Sequence, residues 1–387
     1  MFARRTDWAL APNRLAAALE QHRAGRRAAI DLTVSNPTHV GLTYDAEPVL
    51  DALSNPLAMQ YQPDPRGLLV ARQAVVEYYK SCGHALDPDQ LLLTASTSEA
   101  YAWVFRLLCD PDDEVLIPAP SYPLFEFLAD IQDVRLRPYE LFYDHGWHVD
   151  IHSLRTNLGA KTRAVIAVHP NNPTGSYLKP SEVREINDVC RSNDLALIVD
   201  EVFLDFAINA EQGFSFVENT SALTFTLSGI SKICGLPQMK LAWLAVSGPE
   251  SLRQSAVSRL DVIADTYLTM NAPIQLAAPA FFAQRAAFQA QLLRRIQANL
   301  SFMDHVTRGS GSCVRLEMEA GWYAVLRVPV TRSDEDLAVE LLHTKGVIVH
   351  PGHFYDFPSE GYLVVSLIAR EDEFREGVQR LVAFLAA

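Results

Sequence analysis

Residues Thr226–Trp243 read TLSGISKICGLPQMKLAW. Two lysines, Lys232 and Lys240, stand in this stretch among apolar and small residues, where a solvated ammonium gains little. Just before it, SALTFTLSG (221–229) is an apolar run of strand length, so Lys232 comes directly after a buried strand. The question this stretch raises is what two ammonium groups do at the end of such a strand.

The same grammar recurs upstream. QLLLTAS (90–96), DEVLIPAP (113–120), TRAVIAVHP (162–170) and LALIVD (195–200) read as strands. TSEAYAWVFRLLCD (97–110), YPLFEFLADI (122–131) and KPSEVREINDVCRSND (179–194) lie between them and read as helices. Strands alternating with helices predict an open, largely parallel sheet covered on both faces. Past about residue 285 the pattern changes. A long helical stretch (286–306) leads to CVRLEMEAGWYAVLRVPV (313–330), a two-stranded hairpin by its pattern. The helix DEDLAVELLHTKG (334–346), the strands VIVHPG (347–352) and GYLVVSLI (361–368) and a closing helix follow. The expected organisation is a large α/β domain over 48–284 and a smaller α+β domain over 285–387, which the N-terminal segment 1–47 joins.

Bulk properties narrow the function classes. Of 387 residues 49% are apolar and 20% charged, an ordinary globular composition with room for a large core. The net charge of −13 has no compensating basic cluster, so neither a nucleic acid nor an anionic membrane is expected as a partner. No apolar run approaches the roughly 20 residues of a membrane span, and Arg4 and Arg5 are followed by no leader-like apolar core. Five scattered cysteines without metal-type spacing fit reduced thiols. A cytoplasmic protein is expected, with no metal site.

In open α/β sheets ligands bind beyond the carboxyl ends of the strands. The residues there are Ser96, Thr97 and Ser98; Tyr122; Asn172; Asp200; and Lys232. Hydroxyls at a helix start, an aromatic ring, an amide, a carboxylate and a lysine are the set that pyridoxal 5'-phosphate requires. Each also has a plainer reading: an N-cap at Ser96–Ser98, a turn residue at Asn172, a strand-end cap at Asp200, a core ring at Tyr122.

HPNNPTG (169–175), IVDEVF (198–203) and SKICGLPQMKLAW (231–243), in this order, resemble the class I/II aminotransferases of the aspartate aminotransferase superfamily, fold-type I pyridoxal-phosphate enzymes. The resemblance spans nearly the whole chain. It implies that Lys232 forms the Schiff base, Asp200 partners the pyridine nitrogen, Asn172 donates to the ring oxygen and Tyr122 in PAPSYP stacks on the ring. Ser96, Thr97 and Ser98 fall at the phosphate loop, and Lys240 stands where the family usually has an arginine paired with its phosphate. Tyr61 in QYQPDPRGL matches a tyrosine that reaches the neighbouring subunit's phosphate, which implies a homodimer. The implied activity moves an amino group between an amino acid and a 2-oxo acid. A lyase or decarboxylase of the same fold, or a non-catalytic cofactor-binding protein, is the alternative.

Three positions depart from the family pattern. Gly229 replaces a serine, Phe203 replaces a tyrosine that donates to the ring oxygen, and Val364 and Val365 occupy the place of the substrate-carboxylate arginine. Substitutes for that arginine are sought in the loop TVSNPTHVG (33–41), through Ser35, Asn36 and Thr38, or in Arg66 or Arg370. HPGHFYDF (350–357) and Trp8 are expected to close over the substrate side chain.

Overall fold

The computed structural model describes residues 1–208 and 213–387. The chain begins with α1 (Arg14–Ala24), β1 (Ile30–Asp31), α2 (Ala46–Leu53) and α3 (Leu69–Ser81). It continues through β2 (Leu91–Thr94), α4 (Thr97–Leu108), β3 (Glu114–Ala119), α5 (Phe125–Ile131), β4 (Arg135–Tyr143), β5 (Trp147–Val149) and α6 (Ile151–Thr156). Next come β6 (Thr162–Val168), α7 (Pro180–Ser192), β7 (Ala196–Asp200), β8 (Thr224–Gly229), α8 (Ile230–Ile233), β9 (Ala242–Ser247), α9 (Glu250–Tyr267) and α10 (Ala272–Ala283). The last part holds α11 (Arg285–Arg308), β10 (Val314–Arg315), β11 (Tyr323–Arg327), α12 (Asp334–Lys345), β12 (Val347–Ile348), β13 (His350–Pro351), β14 (Tyr362–Ser366) and α13 (Glu371–Leu385).

Eight strands form one sheet in the order β2-β9-β8-β7-β6-β3-β4-β5. From β8 through β4 every neighbouring pair is parallel, as the alternating pattern predicts. Strands buried on both faces carry two cores at a period of two residues. Ile166, Ile198 and Phe225 point to the side covered by α4 and α9, with Tyr101, Val104 and Leu260. Val165, Leu197 and Val199 point the other way, onto Ile186 and Val189 of α7. Each such side chain contributes about 1.5–3 kcal/mol relative to exposure.

Three strands of this sheet have no counterpart in the sequence reading: β9, β4 and the short β5 that pairs antiparallel with β4. β9 runs antiparallel to both β8 and β2 and so joins the first strand of the sheet to the rest. β4 alternates buried and exposed residues near the sheet edge and includes Pro138, which weakens its strand signal. VIVHPG also differs from a single strand. Its first half, β12, pairs in parallel with β1, and its second half, β13, pairs antiparallel with β14. The chain changes sheets at Val349, and the N-terminal segment is thereby tied to the C-terminal region. The smaller sheet has the order β10-β11-β14-β13.

Candidate active site

The parallel register brings the sequence motifs to one edge. Asp200, the last residue of β7, pairs with Val168 of β6 and Leu227 of β8, so Asn172 and Lys232 leave the sheet on either side of it. The Asp200 carboxylate is held on both oxygens. Tyr101 donates its hydroxyl to Oδ2 at 3.1 Å, and the Val202 N–H donates to Oδ1 at 3.1 Å. Burial pushes its pKa up to about 6, against the pull of those two donors and of Lys232. Tyr101 was not legible as a site residue. It is one turn beyond Ser98 on the buried face of α4, and only the packing of that helix on the sheet sends its hydroxyl to Asp200.

Lys232 lies in the short helix α8. Its ammonium faces aromatic rings, 4.8 Å from the centre of Trp322 and 5.5 Å from that of Phe203. Among the described residues it has no hydrogen bond or ion pair. Desolvation lowers its pKa to about 8, and the attraction of Asp200 works in the opposite direction. A lysine so placed is partly neutral near physiological pH and can accept a proton. The strand before it explains Gly229. A Cβ there would stand 2.9 Å from Cβ of Ala242 and 3.1 Å from the Leu241 carbonyl oxygen, so the crossing of β8 and β9 leaves no room for a serine.

The HPNNPTG loop has two faces. Asn171 accepts the hydroxyl of Thr174 at 2.9 Å and donates to the Pro120 carbonyl, which fixes the turn. His169 accepts the Leu178 N–H on Nδ1 and faces the Phe214 carbonyl with Nε2; burial drives its pKa down to about 3, so it stays neutral. Asn172, in contrast, keeps its side-chain oxygen buried without a partner among the described residues, as do the hydroxyls of Ser121 and Ser228. Gly175, at φ +70°, accepts the N–H groups of Glu319 and Ala320 on its carbonyl oxygen. A Cβ at that position would overlap the Ala320 carbonyl. This contact delivers Trp322, two residues on, to Lys232.

At the start of α4, Ser96 is the cap: its hydroxyl accepts the Glu99 N–H at 3.2 Å, and Glu99 accepts the Ala95 N–H at 2.7 Å. The hydroxyls of Thr97 and Ser98 have no protein partner among the described residues, and their N–H groups lie in the first turn, where no intrahelical acceptor exists. Tyr122 borders the site half-exposed, and its phenol feels the charge of Asp200. Phe203 is buried against Trp322 and Tyr323. Lys240 is exposed in a left-handed turn just before β9. Tyr61 is 82% exposed and lines a cavity of about 480 Å³ with Leu68, Trp103, Thr269 and Met270.

The loop candidates for the substrate separate. Asn36 accepts both the N–H and the hydroxyl of Thr38, so these two satisfy one another in a capped turn. Ser35 lies near the phenol of Tyr323 without a hydrogen bond to it. Arg66 is bonded to Asp261 through two nitrogens, and Arg370 pairs with Asp372 at the surface. Trp8 donates its indole N–H to Asp130 and packs edge-on against Phe127 of α5. Within HPGHFYDF, Tyr355 packs near Tyr323, and its carbonyl accepts the Ser121 N–H at 2.8 Å. Val364 and Val365 are fully buried.

A partly buried lysine, a braced carboxylate, an unpartnered amide and a hydroxyl-bearing helix start converge at one sheet edge. That donor set fits pyridoxal phosphate. Comparison with known proteins agrees. The family described as aminotransferase class I and II matches residues 28–381. The glutamate-pyruvate aminotransferase AlaA of Haemophilus influenzae is 25% identical over 367 residues, covering 92% of this chain and 90% of that protein. An alanine aminotransferase of Mycobacterium tuberculosis is 25% identical over 370 residues, covering 92% and 86%. In fold, the chain superposes on an alanine aminotransferase from Pyrococcus furiosus with a TM-score of 0.90 at 21% identity, over 100% of this chain and 99% of that one. The family match favours amino transfer over the lyase, decarboxylase and non-catalytic alternatives. With sheet, site and family in agreement, the chain belongs to the class I and II aminotransferases and is a transaminase that works with pyridoxal phosphate.

Proposed function

We propose that Lys232 carries both the cofactor and the proton in amino transfer between a neutral amino acid and a 2-oxo acid. The observation that carries this reading is the partly buried, unpartnered ammonium of Lys232 facing Trp322 and Phe203, with its pKa lowered to about 8. Bound pyridoxal phosphate supplies a carbonyl carbon for the amino group and a ring that accepts the electrons left when the α-proton departs. The residues of the chain do the rest. Lys232 Nζ, free of any other partner among the described residues, would serve as the group that accepts and gives back the substrate's proton. Asp200, oriented by Tyr101 and the Val202 N–H, keeps a proton on the ring nitrogen beside it. With the cofactor bound, Asn172 would supply a side-chain donor to its ring oxygen and Tyr122 would cover its ring, while Phe203 and Trp322 shield Nζ from water. Phe203 adds no donor of its own. Thr97, Ser98 and the first turn of α4 hold the phosphate with Lys240, Ser96 serving as the cap.

The same reading includes a homodimer in which Tyr61 completes the partner's phosphate site, and a division into 1–47, 48–284 and 285–387. It also places the protein in the cytoplasm. Five free cysteines support a reducing compartment, and no helix among the described residues is long and apolar enough to cross a membrane. The names of the two relatives support alanine or pyruvate as one partner, and the apolar Val364 and Val365 support a neutral over a dicarboxylic substrate.

Borohydride reduction of the loaded enzyme followed by peptide mapping tests the lysine: the label is expected on Lys232, and a label on another lysine refutes the assignment. Steady-state rates with aspartate, glutamate, alanine, leucine and phenylalanine test the substrate class. Aspartate as the best donor by a wide margin would defeat it.

A further inference from the structure

An amino acid or 2-oxo acid brings a carboxylate into a partly closed site, and that group needs donors to replace its lost water. Cations in reach of this duty are few. Arg66 and Arg370 are engaged with Asp261 and Asp372, and Arg295 donates to the carbonyls of Val40, Ile368 and Ala369. Lys232 is committed to the chemistry. What borders the site instead is a group of hydroxyls.

Tyr323 packs 6.3 Å from the ring of Phe203, which faces Lys232, and 6.4 Å from the ring of Tyr355. The rings of Tyr323 and Tyr355 pack together, and the phenols of both feel that of Tyr122. The hydroxyls of Ser35, in the N-terminal loop, and Tyr323 lie near one another, and neither makes a hydrogen bond among the described residues. The Tyr355 hydroxyl meets Nδ1 of His350 at 3.0 Å. His350 is paired with Val364 across β13 and β14, so its ring rises from the same sheet face as that valine. The backbone of Tyr355 is fixed to the sheet edge through the Ser121 N–H.

We propose that Ser35, Tyr323 and Tyr355 form the receptor for the substrate carboxylate, with His350 as the positioning residue that holds the Tyr355 hydroxyl. This deepens the amino-transfer reading and rests on it. A receptor of neutral donors binds a carboxylate through hydrogen bonds to a charged acceptor and needs no guanidinium. Because the three donors come from the N-terminal loop, β11 and the turn after β13, they converge only in the folded chain.

The test uses the loaded enzyme and two probe pairs. Propanoate and 4-methylpentanoate are the alanine and leucine skeletons without the amino group; ethylamine and 3-methylbutylamine are the same skeletons without the carboxylate. Titration calorimetry of the acids and steady-state KM for the amines are measured in the wild type, Tyr323→Phe, Tyr355→Phe, His350→Leu and His350→Gln. Each phenylalanine variant is expected to weaken binding of the acids about tenfold to a hundredfold, the worth of one hydrogen bond to a charged group, and to change KM for the amines less than threefold. His350→Leu is expected to reproduce the Tyr355→Phe loss, and His350→Gln to restore most of it. Thermal melts of all four variants separate these effects from misfolding, since a merely structural role lowers the melting temperature and weakens acids and amines alike. Wild-type amino transfer with acid binding indifferent to the hydroxyls overturns the receptor alone. A wild type that transfers no amino group from any amino acid overturns the receptor together with the amino-transfer reading.

Discussion

Gly175 and Ala320 touch backbone to backbone: the Gly175 carbonyl accepts the Ala320 N–H at 2.9 Å, and no Cβ fits between them. The contact joins the loop that carries Asn172 to the hairpin that carries Trp322 and Tyr323. The ion pair between Lys179 and Glu319 lies beside it and bridges the same two segments. Gly175→Ala would meet both the Ala320 carbonyl and a left-handed φ. It is expected to destabilise the protein by about 2–4 kcal/mol and to lower turnover further by displacing Trp322 from Lys232. Urea unfolding gives the first quantity and kcat the second; a neutral effect on both would mean that the two segments move independently.

Lys232 should stand apart from other lysines in the cofactor-free protein. Its ammonium is partly buried against aromatic rings with a pKa lowered to about 8, whereas an exposed lysine titrates near 10.4. Acylation by a small reagent, read by mass spectrometry, should therefore rise through about pH 8 at this residue and only above pH 9 at the rest. A Lys232 profile matching the exposed lysines would show that burial does not control it. Lys232→Ala should abolish amino transfer with the fold retained.

Asp200 sets activity against stability. A carboxyl whose folded pKa is raised to about 6, above its ordinary 3.8, binds more protons folded than unfolded between those values. Its ionisation therefore costs stability as pH rises from about 4 to 6, and the cost persists above pH 6. Asp200→Asn should remove it, stabilising the cofactor-free protein by about 1–3 kcal/mol at pH 7 and by little at pH 4. In the loaded enzyme the same change should lower kcat strongly. Denaturation at the two pH values decides the matter, and an equal shift at both would contradict the linkage.

Tyr61 projects into solvent from a surface that also exposes Leu57, Met59 and Leu268. A second copy covering this surface would bring Tyr61 to a neighbouring phosphate site. Sedimentation should find a dimer, and Tyr61→Ala should weaken cofactor retention at least several-fold while the dimer persists. A fully active monomer would refute the arrangement.

The sequence by itself determined the alternating strands, the parallel centre of the sheet and the order of Asn172, Asp200 and Lys232 at its edge. It could do so because each signal is local. A buried strand is a continuous apolar run, and the residue after it lies at the strand's end wherever the sheet is placed. The sequence also showed that Val364 and Val365 hold no cation, since that is a matter of residue identity. Tertiary structure decided the rest. β9 is as long as β8, but its antiparallel place between β2 and β8 is set by pairing across the sheet and not by its own residues. The brace of Tyr101 on Asp200 spans 99 positions, the aromatic wall of Trp322 at Lys232 nearly as many, and the contact of Gly175 with Ala320 that anchors this wall more still. Ser35 is a candidate from its loop alone, but Tyr323 and Tyr355 look like ordinary aromatic residues until separate segments meet. Hydrogen bonds and ring contacts act over a few ångströms of space whatever their distance in sequence, so a site assembled from them is legible only where folding has brought its parts together.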